Sequence, residues 1–345
     1  MSDLLVSTPQ GLFCPLGNFH VDPWQPVPAA IITHAHSDHA SPGSQRYLTA
    51  APGLHVLQAR LGETAPIETC RYGEQLTLGE VVVSLHPAGH ILGSSQVRIE
   101  HRGEVWGVTG DFKTAADPTC TAFEPPACHT LITESTFGLP VYQWDDPIAT
   151  FAEINSWWSA NAQAGIASII YAYSLGKAQR IVSGVDNSIG PIFTHGAVER
   201  MNAVYRHSGV DLPATTHVTA SQTKRDFAGA LIIAPTSARG SPWLRRFGDF
   251  SSAFASGWMQ IRGARRRRAV DRGFALSDHA DWPSLLAVIR TSGAARVLVT
   301  HGFVEPMVAW LRENGWQAAP LHTEFRGELD ESAETSAADE GDAPA

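Results

Sequence analysis

One stretch of the chain constrains its folding more than any other. Ala29-Ala30-Ile31-Ile32 is an apolar run bounded by Pro28, and His34-Ala35-His36-Ser37-Asp38-His39 follows almost at once. The run predicts a short buried strand. That strand delivers His34, His36, Asp38 and His39 to one loop, a supply of imidazole and carboxylate that suits two adjacent cations. With 15 His in 345 residues, pairs at i and i+2 arise by chance. A third His at i+5, with an acid between and a strand in front, is much rarer, so the segment is read as a metal centre.

Composition sets the class. At 43% hydrophobic and 17% charged residues the chain is ordinary for a soluble globular enzyme, and its length allows one large domain or two. No apolar run approaches the roughly 20 residues that a membrane span requires. The first residues lack a basic segment followed by an apolar one, so no secretory signal is read. Cys14, Cys70, Cys120 and Cys128 form no CxxC pair, which fits reduced thiols and a cytoplasmic location.

The net charge of −9 is unevenly spread. Residues 327–345 hold seven acids and no Lys or Arg and are expected to be a disordered acidic tail. Without them 27 acids face 25 bases, about −2 for the folded part. Six of those bases, Arg262, Arg265, Arg266, Arg267, Arg268 and Arg272, fall within eleven residues.

Short strands with turn signals dominate the first 140 residues, with strands expected at 81–85, 97–99 and 105–108 and a hairpin turn at 101–104. Asp145-Asp146-Pro147 opens a helix running to about 163. Strand and helix then alternate, with strands at 166–173, 231–233 and 297–299 and a helix at 175–183, a pattern that implies parallel β/α structure.

Further ligand-type residues stand at the ends of expected strands. They are His90 in Pro87-Ala88-Gly89-His90, Asp111 in Thr109-Gly110-Asp111, His301 in Val299-Thr300-His301-Gly302, and Asp22 near the start. Each alone is an ordinary turn residue. Their joint occurrence after the hexapeptide carries the argument.

This ordered set resembles the metallo-β-lactamase superfamily. Asp22, the 34–39 hexapeptide, His90 and Asp111 match its first four motifs. Glu134 in Thr133-Glu134-Ser135-Thr136, His279 in Ser277-Asp278-His279-Ala280-Asp281, and His301 are similar to motifs A, B and C of its β-CASP nucleases. Three strings look like the bacterial ligase-associated DNA exonucleases of that group: Ser-Leu-Gly-Lys-Ala-Gln-Arg at 174–180, Gly-Trp-Met-Gln-Ile-Arg-Gly-Ala-Arg-Arg-Arg-Arg at 257–268, and Ser-Asp-His-Ala-Asp-Trp at 277–282.

The resemblance implies an α/β fold, an αββα sandwich with an inserted parallel β/α cap. The first part of the sandwich domain would span 1–142, the cap 143–270 and the second part 271–326. It implies two divalent ions, Zn²⁺ by default or Mn²⁺. His34, His36 and His90 would hold one, Asp38, His39 and His301 the other, and Asp111 would bridge, with Asp22 orienting a ligand His from behind. It also implies phosphodiester hydrolysis by a metal-bound hydroxide. His279 would be the general acid and Glu134 its orienting carboxylate, with Asp38 counted among the catalytic residues as well as the ligands. Without the resemblance, His279 reads as a residue at the start of a helix over 282–290, capped by Ser277 or Asp278.

Candidate phosphate contacts are Ser174, Lys177 and Arg180 at a helix start, Arg239 after another strand, and Arg262, Arg265, Arg266, Arg267 and Arg268. The expected partner is nucleic acid, DNA ahead of RNA, with functional association with a DNA ligase and helicase and no membrane. Two alternatives stay open. One is an RNA-processing β-CASP nuclease, because His at motif C is usual in that branch. The other is a small-molecule hydrolase of the same superfamily.

Overall fold

The structure, a computed structural model, describes residues 3–261 and 270–323. It is a mixed α/β structure with three sheets in two compact units, one made of residues 3–143 and 279–323, the other of 144–261 and 270–278.

The first unit opens with a sheet of six strands in sequence order: β1 (Val6–Thr8), β2 (Gly11–Cys14), β3 (Phe19–Val21), β4 (Ala30–Ile31), β5 (Tyr47–Ala50) and β6 (Ile67–Cys70). Helix α1 (Leu54–Leu61) lies between the last two in sequence. A second sheet begins with β7 (Leu76–Leu78), β8 (Val81–Pro87), β9 (Ser95–His101), β10 (Glu104–Val108) and β11 (Thr130–Ser135). Strands β9 and β10 meet at a two-residue turn. Arg102 and Gly103 have φ of 51° and 86°, and His101 pairs with Glu104. Left-handed conformation at both central residues matches the right-handed twist of the flanking strands.

The chain then enters the second unit through α2 (Pro147–Gln163). The Asp146 side chain accepts a bond from the Ile148 N–H at 2.9 Å, and Pro147 fills a first-turn position whose N–H would have no helical partner. There follow β12 (Ala167–Tyr171), α3 (Lys177–Gly184), β13 (Ile192–Thr194), α4 (Gly196–His207), β14 (Thr216–His217), β15 (Leu231–Ala234), β16 (Phe250–Ala255) and β17 (Arg272–Phe274). These six strands form one sheet, ordered β14-β13-β15-β12-β16-β17, in which every pairing is parallel. Strands β12 and β15 are buried throughout, as a parallel sheet covered on both faces requires, and so read as continuous apolar runs. His195 caps α4, its Nδ1 accepting from the Ala197 N–H at 3.2 Å.

Back in the first unit, the chain runs through α5 (Trp282–Thr291), β18 (Arg296–Gly302), α6 (Val304–Glu313) and β19 (Gln317–Pro320). The second sheet is completed in the order β7-β8-β9-β10-β11-β18-β19, so β11 and β18 are direct neighbours although the whole second unit separates them in sequence. Successive residues on these strands belong to different cores. Trp106, Ile132 and Leu298 pack with Leu12, Val21 and Ile31 of the first sheet. Val105, Leu131, Val297 and Val299 pack with Leu285 and Ile289 of α5 and Met307 and Leu311 of α6. The two-residue period of a strand thus makes the second sheet the middle layer of the unit.

Strand β17 pairs with β16, and residues 270–278 belong with the second unit. One expectation needs correction. The helix after His279 is capped by neither Ser277 nor Asp278. Its N-cap is Asp281, whose carboxylate accepts from the Ser284 N–H at 3.0 Å. The acidic tail and Arg262, Arg265, Arg266, Arg267 and Arg268 lie outside the described residues. Among the described residues no helix is long and apolar enough to cross a membrane.

Candidate metal centre

Strands β10, β11 and β18 run parallel, and β8 runs with them through two antiparallel steps, so their carboxyl ends share one edge of the second sheet. His90, Asp111, Glu134 and His301 stand at or just beyond those ends. The loop after β4 brings His34, His36, Asp38 and His39 to the same place. Two groups result whose ligand atoms lie within 4.8 Å of one another: His34, His36, His90 and Asp111, and Asp38, His39 and His301. A third group joins Asp111 to Glu134 and His279.

Asp111 stands between the groups. Its Oδ2 is 3.5 Å from His34 Nε2, 3.6 Å from His39 Nε2 and 3.8 Å from His90 Nε2, while its Oδ1 is 3.5 Å from His301 Nε2. His36 Nδ1 and His90 Nε2 approach to 3.1 Å. Asp38, whose Oδ2 is 3.8 Å from His39 Nε2, has the most exposed side chain of the seven, at 19%.

Asp22 holds two of these residues in place. Its carboxylate accepts from the Thr33 N–H at 2.7 Å, the Thr33 hydroxyl at 2.5 Å and His39 Nδ1 at 2.8 Å. Because the Thr33 hydroxyl already donates to Asp22, the 3.0 Å contact with His34 Nδ1 is one in which the imidazole donates. Each Nδ1 is thereby engaged, and each Nε2 is turned towards Asp111. Thr33 was not singled out from the sequence. Its signal was a polar residue directly ahead of the first ligand, at the end of an apolar run.

Local backbone strain shapes the cluster. Gly110 has φ of 55°, and a Cβ there would lie 2.8 Å from the Thr33 side chain. The pairing of β11 with β18 shifts so that Thr300 and His301 oppose the single residue Glu134. His301 takes φ of 58° at this bulge, and the Ser135 hydroxyl donates to its carbonyl. A bulge re-aims side chains, and here it presents His301 beside Glu134.

The electrostatics follow from burial and charge. Burial, followed by the neighbouring imidazoles of His39, His36, His90 and His279, holds His34 well below 6.5, leaving its ring neutral and ligand-competent at pH 7. Burial also pushes His39 down, but Asp111, Asp38 and Asp22 together outweigh it and raise it to about 10. Burial raises Asp111 against the opposing pull of His39 and His301. Glu134 is lowered: its burial is outweighed by His279, which it faces at 2.9 Å, and by His301.

These residues can hold metal ions. His34 Nε2 and Asp111 Oδ1 are buried without a hydrogen-bond partner. Such an atom costs about 1–3 kcal/mol, a cost that a coordinated cation removes.

The expected phosphate contacts stand in the second unit. Lys177 and Arg180 lie on α3 and are buried, with Lys177 Nζ 3.9 Å and Arg180 Nη1 3.3 Å from Asp278 carboxylate oxygens, and Arg180 also donates to the Ser277 carbonyl. Ser174 precedes that helix, and Arg239 follows the 3₁₀ turn Thr236–Ala238 after β15.

No family model matches the chain. It is 31% identical over 323 residues to a protein of Opitutus terrae described as a probable DNA ligase, a match that covers 92% of this chain and 31% of that one. It is 26% identical over 209 residues to an RNase J-like protein of Methanocaldococcus jannaschii, covering 52% of this chain and 50% of the relative. The chain therefore spans about a third and about half of the curated relatives it matches. Among solved structures, a protein of unknown function from Enterococcus faecalis superposes with a TM-score of 0.59 at 13% identity, over 86% of this chain and 79% of that one. That likeness concerns the fold alone.

Proposed function

We propose that the chain is a metallo-β-lactamase-type nuclease of the β-CASP group that hydrolyses phosphodiester bonds in DNA and works in repair beside a DNA ligase. One observation carries the reading: six ligand-type side chains, four from the loop after β4 and two from the ends of other strands, gather with Asp111, and a His–Glu pair stands against the same carboxylate. The layered sheets of the first unit, the parallel β/α unit inserted between β11 and β18, and the names of the two relatives support it.

In this reading His34, His36 and His90 hold one divalent ion, Asp38, His39 and His301 a second, and Asp111 serves both. The imidazole-rich donor set suits Zn²⁺, and its carboxylates also accept Mn²⁺. When bound, such ions supply a water of lowered pKa and offset charge that develops on a phosphate. Glu134 holds His279 through Nδ1 and stabilises its protonated form. His279 Nε2 then carries the proton that the leaving oxygen requires. Ser174 and Arg239, with the Arg residues of 262–268, are the proposed contacts for the nucleic-acid backbone, while Lys177 and Arg180, buried beside Asp278, brace the start of α3 from within.

The RNase J-like relative favours a second reading, with RNA as substrate. End-labelled single-stranded DNA, duplex DNA and RNA of one sequence, incubated with Mn²⁺ or Zn²⁺, test both. DNA is expected to be trimmed, and Asp38→Ala/His39→Ala to abolish trimming. RNA cleaved far faster than DNA overturns the DNA reading, and an unimpaired double variant overturns the two-ion centre.

A further inference from the structure

The segment that follows Asp111 is tied to the loop carrying His90 through four consecutive carbonyls. The Pro87 carbonyl accepts from the Glu124 N–H at 3.1 Å, Ala88 from the Lys113 N–H at 3.0 Å, Gly89 from Cys120 Sγ at 3.3 Å, and His90 from Lys113 Nζ at 3.5 Å. Gly89 has φ of 70°, and a Cβ on it would meet the Lys113 carbonyl at 2.4 Å, so the two strands of chain pass too closely for any larger residue.

At the middle of this arrangement is an ion pair. Lys113 Nζ lies 2.6 Å from Asp117 Oδ2, and both side chains are 2% exposed. The other carboxylate oxygen, Asp117 Oδ1, accepts from the Thr119 N–H at 2.9 Å and the Thr119 hydroxyl at 2.7 Å. An ammonium group is rarely buried without a reason, and this one reaches the main chain of one candidate ligand from a position two residues beyond another.

We propose that Lys113 and Asp117 are positioning residues for the metal centre, holding His90 and Asp111 at the spacing a shared ion requires. The proposal rests on reading the centre as a metal site. Neither residue touches the ion or the substrate. The pair fixes where Lys113 Nζ sits, Nζ fixes the His90 carbonyl, and the backbone of Lys113 ties that loop to the end of β10. Groups that support ligands from behind in this way typically alter metal affinity by about 10–100-fold when removed.

The test compares the full-length chain with Lys113→Met and with the double variant Lys113→Met/Asp117→Leu. The double variant removes both charges together and so leaves no unpaired ion in the interior. Zn²⁺ affinity is measured by competition with a chromophoric chelator, and unfolding is followed in EDTA by far-UV circular dichroism. Both variants are expected to keep the wild-type spectrum and to bind Zn²⁺ about 10–100-fold more weakly. A folded double variant with wild-type affinity overturns the proposal, even if its unfolding midpoint in EDTA has dropped, since that drop alone marks a purely structural brace. Should Lys113→Met fail to fold, the double variant decides by the same criterion. A wild-type chain that binds neither Zn²⁺ nor Mn²⁺ overturns the metal reading itself, and the positioning proposal with it.

Discussion

His279 Nδ1 lies 2.9 Å from Glu134 Oε2 and 4.0 Å from Asp111 Oδ2, so one ring nitrogen faces both a carboxylate of its own and the centre of the candidate ligand cluster. The Phe112 N–H donates to the other Glu134 oxygen, Oε1, at 2.7 Å and fixes the carboxylate. If His279 protonates the leaving oxygen, His279→Ala lowers the nuclease rate by about 10²–10⁴-fold with bound metal unchanged. Metal content by mass spectrometry beside single-turnover rates checks this, and loss of metal in the variant assigns His279 to the ligands instead.

Asp22 serves Thr33 and His39 at once, so its replacement disturbs two rings. Asp22→Asn keeps the volume but offers an N–H where the His39 Nδ1 needs an acceptor. Metal affinity is expected to fall by roughly 10–100-fold, and Thr33→Val to act in the same direction through His34. Titration against a competing chelator reads both.

Gly110→Ala adds a Cβ 2.8 Å from Thr33 at a backbone φ of 55°. Strain at a left-handed position and the contact together are expected to cost about 1–3 kcal/mol, seen as a lower unfolding midpoint. Gly62→Ala is the control: its φ of 97° is also positive, but its Cβ meets nothing within 4 Å. Equal losses at both sites would show that the contact with Thr33 contributes little.

Glu199 makes the second unit acid-sensitive. Burial would raise its pKa, but hydrogen bonds from Thr194, Thr215 and Arg206 outweigh this and lower it. A folded pKa below the unfolded one means stability that is fully present above about pH 4.3 and lost as pH falls through the folded value. Glu199→Gln is expected to flatten the dependence of unfolding on pH below that point and to cost roughly 1 kcal/mol above it. An unchanged acid limb removes Glu199 from the account.

Burial also pushes the Cys70 and Cys128 thiols up to about 11. At pH 8 neither offers much thiolate, so an alkylating reagent should reach them only on unfolding. Peptide mapping after brief exposure, native against denatured, distinguishes this from fast native labelling.

Much of the second unit could be read ahead of the structure, because strands buried on both faces, such as Leu231–Ala234, are apolar throughout and alternate with helices. The 34–39 cluster was equally legible, since its candidate ligand residues are adjacent in sequence. The contacts that aim them were not. Asp22 meets Thr33 eleven residues away, and Ser135 meets His301 across 166. No periodicity encodes a bulge in β18 or a left-handed His301. Nor was β17 legible, a three-residue edge strand following the Arg-rich stretch.

The direct pairing of β11 with β18 has a consequence for synthesis. Ser135 leaves the ribosome 166 residues before the His301 whose carbonyl it binds, roughly 8–30 s at about 5–20 residues per second. Throughout that interval β11 presents an open row of backbone groups to its surroundings. The second unit, closed on its own parallel sheet, can complete itself first. The nascent first half then has a long exposure, an interval in which an unpaired strand edge is open to association.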